Sequence, residues 1–120
     1  MAFHFPNENG IYLHDGPQKE IFLKNERALT NGCVSVENAG RLASLMLKYD
    51  GQEGQINELL QAADNYQTKN FILKKPLPLL IGYQTCAIKD GLLVRYSDPY
   101  NKDKELENNL YRHDIMLSKK

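Results

Sequence analysis

Two short stretches decide the reading of this chain: Ile11-Tyr12-Leu13-His14-Asp15 and Thr30-Asn31-Gly32-Cys33-Val34. The first is apolar and rich in strand formers. It lies between an Asn9-Gly10 turn and an Asp15-Gly16-Pro17 turn, so it reads as a β-strand over residues 11–14. His14 falls at the C-terminal end of that strand, where a side chain can reach a cleft. In the second stretch Gly32 permits a tight bend from which the Cys33 sulfur can project. A thiol with an imidazole in reach is the minimum machinery for attacking a carbonyl: the thiolate is the nucleophile and the imidazole takes its proton. Cys33 is therefore the candidate nucleophile and His14 the candidate base, with Asp15 or a nearby carbonyl able to orient the ring. Backbone N–H groups at such a turn are candidates for an oxyanion hole.

Outward from these stretches, residues 15–29 are polar and broken, with one apolar patch at Ile21-Phe22-Leu23, and read as a long ordered loop. Residues 37–49 place Ala39, Leu42, Leu45, Met46 and Tyr49 at helical spacing. Ser35 is the expected N-cap, which sets Cys33 two residues before the helix and lets its dipole favour the thiolate. A second amphipathic helix carries Ile56, Leu59, Leu60 and Ala63 on one face. Lys74-Lys75-Pro76-Leu77-Pro78 then breaks the pattern. Residues 79–88 read as one long strand with Cys86 buried in it. Asp90-Gly91 is a hairpin turn signal, and Leu92-Leu93-Val94-Arg95-Tyr96 returns as the partner strand. Residues 101–112 read as a charged helical tail with Leu106 and Leu110 inward. The fold class is α+β: a mixed or antiparallel sheet with two or three helices.

Composition narrows the function classes. Lys plus Arg total 15 and Asp plus Glu total 15, so the chain lacks the basic excess that a nucleic-acid binder or a polybasic membrane-surface protein needs. No apolar run is long enough to cross a bilayer, and the first residues do not form a secretory signal. The chain reads as cytoplasmic or as a piece of a longer exported protein. Its two cysteines, Cys33 and Cys86, are too few for a disulfide scaffold. His4, His14 and His113 show no metal-ligand spacing with them, so no zinc site is expected.

The run from Phe5-Pro6-Asn7 through Ile11-Tyr12-Leu13-His14-Asp15, then Arg27, then Thr30-Asn31-Gly32-Cys33-Val34-Ser35, resembles the active-site segment of the L,D-transpeptidases, the YkuD-like family. The likeness continues through Pro76-Leu77-Pro78, Tyr83-Gln84-Thr85, the Asp90-Gly91 hairpin and Asp98-Pro99-Tyr100, in the manner of the large Gram-negative branch. It implies one partial catalytic domain over residues 1–120, acting in the periplasm or cell envelope on peptidoglycan stem peptides. Cys33 and His14 would be catalytic. Tyr12, Asp15, Arg27, Thr30, Asn31 and Gly32 would support the site or bind substrate. The family takes carbapenems as acylating agents and uses no cofactor. Two positions depart from its pattern. Asn31 stands where a His commonly precedes the Gly, and Asn cannot carry a proton near neutral pH. Ser35 stands where an Arg often follows the Cys by two, and Ser cannot pair bidentately with a carboxylate. The family's domain also begins upstream of the Ile-Tyr-Leu-His strand, so the likeness implies that N-terminal strands are missing. The alternative readings are an inactive relative that binds peptidoglycan peptides or a protein partner, and an L,D-carboxypeptidase in which water replaces the amine acceptor.

Overall fold

The computed structural model describes residues 1–30 and 32–118. The chain divides into two compact units, Met1–Pro78 and Leu79–Lys120. The architecture is α+β, as the sequence leads one to expect.

The first unit is built on a small mixed sheet. Strands β1 (Ala2–Phe3), β2 (Leu13–His14) and β3 (Val34–Ser35) lie in that order across it. β1 runs antiparallel to β2, pairing Ala2 with His14 and Phe3 with Leu13. β3 runs parallel to β2, pairing Leu13 with Val34 and His14 with Ser35. The hydrogen bonds extend past the paired residues: Val34 N donates to Tyr12 O at 3.2 Å, and Val36 N to His14 O at 2.8 Å. The β1–β2 connection closes on the side chain of Asn7. Its Oδ1 accepts from Asn9 N and Ile11 N, and its Nδ2 donates to the carbonyls of Phe5 and Ile11. Asn is suited to this because its amide can mimic a backbone turn.

Two helices supply the core, α1 (Ala39–Tyr49) and α2 (Ile56–Asp64), with a single 3-10 turn (Glu53–Gln55) between them. Ala43, Leu47 and Leu59 form the buried cluster, and Phe3, Ile56, Phe71 and Leu73 pack against it. The buried stripe of α1 is Ala39, Ala43 and Leu47. The expected stripe was Ala39, Leu42, Leu45, Met46 and Tyr49; Leu42, Leu45 and Tyr49 are instead exposed. Small residues lie on the packed side of α1: Ala39 and Ala43 are buried, and a Cβ on Gly40 would meet the Leu60 side chain at 3.8 Å. The bulkier side chains are displaced to the flanks. On α2, Leu59 and Ala62 are buried, whereas Leu60 and Ala63 are exposed.

Past α1 the chain is clamped back on itself. Asp50 accepts from the backbone N–H groups of Lys74 and Lys75, and the buried Gln52 amide donates to Asp50 and to Ile72 O. Burial acts to raise the Asp50 pKa, but the two backbone donors, the Gln52 amide and the Lys74 charge outweigh it, and the carboxyl stays below its ordinary value.

In the second unit, β4 (Cys86–Lys89) and β5 (Leu92–Arg95) form an antiparallel hairpin, followed by α3 (Lys102–Ser118). Asp90 and Gly91 both hold positive φ, 51° and 78°, as the two-residue turn of a twisted hairpin requires. Residues 79–84 are not part of a strand. An apolar run becomes a strand only with a backbone partner, and here pairing begins where Thr85 O accepts from Tyr96 N. Cys86 is exposed rather than buried, because a two-stranded hairpin has no third strand of its own unit to cover it. Leu106 and Leu110 are likewise exposed rather than inward. Asp98 caps α3, accepting from Lys102 N at 3.0 Å, from Asp103 N at 2.8 Å and from the Tyr83 hydroxyl.

Candidate active site

Side chains alternate between the faces of a strand, so the sheet register sorts the site residues. Phe3, Leu13 and Val34 form one row across the sheet and share a face. Phe3 carries that face onto the helical core. Tyr12 and His14 therefore project from the opposite face, together with Ser35, the register partner of His14. Cys33 immediately precedes β3, and the hydrogen bond from Val34 N to Tyr12 O carries the pairing to its edge; continued by one residue, the register would set Cys33 opposite Tyr12 and diagonal to His14. The rings of Tyr12 and His14 stand 5.7 Å apart between centroids, consistent with that shared face. Cys33 is half-buried and its thiol is free.

The bend before Cys33 is built as the sequence leads one to expect. Gly32 takes φ 125°, a backbone region that L side chains rarely adopt. Thr30 Oγ1 donates to Cys33 O at 2.7 Å and closes the turn. Asn31 lies outside the described residues. Ser35, expected as a helix cap, belongs to β3, with its Oγ beside buried Gly16. The cap position is Asn38, in the left-handed region at φ 54° and ψ 48°. α1 thus starts six residues after Cys33, beyond the first turn over which a helix dipole acts on a side chain. The thiol's environment is set by the sheet face rather than by a helix terminus.

Two of the expected supporting residues act elsewhere. The Asp15 carboxylate pairs with Lys19, one turn further on. The Arg27 guanidinium donates to the carbonyls of Phe22 and Lys24 and holds the 3-10 turn Lys19–Leu23 that lies within the loop expected over residues 15–29. Arg27 thus braces the segment Phe22–Lys24 of the loop that leads toward Cys33. The sequence reading passed over Asn7, whose four hydrogen bonds set the entry into β2. The Pro6-Asn7 and Asn9-Gly10 pairs are the turn signal that marks it. Among the described residues, no three His, Cys, Asp or Glu side chains cluster as a metal site. No helix of the described residues is long and apolar enough to cross a membrane.

The family model of the YkuD L,D-transpeptidase catalytic domain matches residues 1–69, which include Tyr12, His14 and Cys33. A Haemophilus influenzae protein named "Putative L,D-transpeptidase" is 34% identical over 105 residues, covering 87% of this chain. The chain spans about a fifth of that relative's length, 21%. No solved structure matches it. With a family match over more than half its length and a relative 34% identical over 87% of the chain, this chain belongs to the YkuD family of L,D-transpeptidase catalytic domains.

Proposed function

We propose that Cys33 and His14 carry out acyl transfer between peptidoglycan stem peptides. In the first half-reaction His14 takes the thiol proton as Cys33 Sγ attacks the carbonyl of the third stem-peptide residue, a diamino acid. The bond from Sγ to carbon forms, the peptide C–N bond breaks, and His14 returns the proton to the departing amine of the terminal D-residue. In the second, the side-chain amine of another stem peptide attacks the thioester and yields its proton to His14. The thiolate leaves, and a 3–3 cross-link remains. The observation that supports this reading is the β2–β3 register, which pairs His14 with Ser35 and so brings the chain segment of Cys33, two residues before Ser35, alongside β2. Tyr12 shares the face of His14, and Thr30 and Gly32 shape the turn that presents the sulfur. The reaction places the protein's substrate in the cell envelope.

Incubation with a carbapenem, read by intact mass spectrometry, tests this. The expected result is one adduct per chain, absent in Cys33→Ala and retained in Cys86→Ala. A folded chain that takes no adduct, or an adduct that survives Cys33→Ala, overturns acyl transfer. The first of these results fits the alternative of a relative that binds peptidoglycan peptides without chemistry.

A further inference from the structure

We infer that His4 is a positioning residue for the candidate site, holding Tyr12 and through it the His14 imidazole; the inference rests on the acyl-transfer reading above. Continuing the register of β1 and β2 by one residue sets His4 opposite Tyr12, just as continuing β2 and β3 sets Cys33 opposite Tyr12. Continued by one residue at the sheet's edge, the two registers would set His4, Tyr12 and Cys33 in one row, with the strand spacing of about 4.8 Å between neighbours. The rings confirm the first contact: His4 and Tyr12 stand 5.4 Å apart between centroids, inclined at 32°. The Tyr12 ring also meets His14 at 5.7 Å and 54°. Tyr12 thus touches two imidazoles, one of which is the proposed base.

The consequence is mechanical. Aromatic pairs within 4.5–7 Å are attractive, and the two neighbouring rings limit the rotamers of Tyr12. A fixed Tyr12 in turn restricts how the His14 ring can turn toward Cys33. His4 is exposed, and its ring contact is with Tyr12. Its contribution is a flat ring, and phenylalanine at position 4 supplies the same shape without a titratable nitrogen.

Two readouts on the full chain test this, with Cys33 acylation followed in the Cys86→Ser background. His4→Ala is expected to slow carbapenem acylation of Cys33 about tenfold, less than the roughly hundredfold that a 1 Å displacement of a reacting group costs. His4→Phe is expected to restore most of the rate. In NMR spectra the His14 ring C–H resonances, which the Tyr12 ring current shifts, are expected to move in His4→Ala and to stay near their wild-type positions in His4→Phe. Acylation of His4→Ala at the wild-type rate overturns the inference, and so does a His4→Phe variant as slow as His4→Ala. Unmoved His14 resonances in folded His4→Ala overturn it independently of any chemistry. Failure of the wild type to acylate, with those resonance shifts present, defeats the acyl-transfer reading while the ring contact stands.

Discussion

Residues 1–78 and 79–120 contain comparable local structure but differ in what holds it. The first unit pairs strands distant in sequence and packs one face of the resulting sheet, through Phe3, on Ala43, Leu47 and Leu59. Every buried hydrophobic residue among those described belongs to it. The second unit keeps a hairpin set by Asp90-Gly91 and a helix capped by Asp98, yet Leu80 is 93% exposed and Ile88 78%. Turn and cap chemistry alone can shape a segment locally. A site that needs two side chains from different strands held in register needs the packed unit, and that is where Tyr12, His14 and Cys33 lie.

The widest gap between the two units is expected in core substitutions. Leu47 is 2% exposed, so Leu47→Ala should lower stability by about 2–5 kcal/mol through lost burial and a residual cavity. Leu93 is 71% exposed, and Leu93→Ala should stay within about 0.5 kcal/mol of wild type. Urea unfolding of the full chain, followed by far-UV circular dichroism, checks both. Equal effects at the two positions would mean that the second unit has a core of its own.

A smaller effect should link the β1–β2 turn to the site. Asn7→Ala removes the turn's four side-chain hydrogen bonds and should cost about 1–2 kcal/mol, since the group is exposed and water replaces part of what is lost. Because Asn7 sets the entry into β2, the same variant should slow carbapenem acylation of Cys33. Lost stability with an unchanged acylation rate would show that β2 keeps its register without the turn.

The two units were also unequally legible. The hairpin was plain because Asp-Gly acts within four residues and needs nothing else. Helices α1 and α2 were plain from apolar periodicity, but their inward faces were not. Periodicity gives a stripe without saying that Ala39 and Ala43, rather than Leu42 and Leu45, meet the closest neighbour. Residues 79–84 show the same limit: an apolar run carries strand propensity, whereas a strand exists only where another backbone lies alongside. At the site, the residue types at positions 14 and 33 were readable, and the turn at Gly32 with them. β3 was not, since Val34-Ser35 is too short to stand out and its parallel pairing with β2 is a tertiary fact. That pairing also converts Ser35 from a supposed cap into a strand residue and takes the helix dipole out of the account of Cys33.

Titration should reveal the same asymmetry with the gentlest effects. Asp50 in the first unit and Asp98 in the second both sit below the ordinary carboxylate pKa. For Asp98 the Tyr83 hydroxyl is the leading cause; burial opposes it, and the backbone N–H groups of Asp103 and Lys102 and the Lys102 charge reinforce it. A carboxyl depressed on folding adds stability that is full above its unfolded value, near 3.9, and that fades as pH falls through the lower folded value. Tyr83 has the opposite sign. Burial and the neighbouring Asp98 raise its pKa, so its contribution is full below about pH 10 and fades as pH rises through the raised value. In the first unit, acid loosens the clamp from Asp50 to Lys74 and Lys75, but the Leu47 cluster remains. In the second, acid weakens the cap of a helix whose leucines at 106 and 110 are exposed. As pH falls through the lowered Asp98 value, protection of the Lys102 and Asp103 amides, taken relative to their intrinsic exchange rates, should therefore be lost well before protection at Leu47. Asp98→Asn should flatten the pH dependence at those two amides and leave that at Lys74 and Lys75 unchanged. Simultaneous loss of protection in both units would mean that acid unfolds the chain as one body.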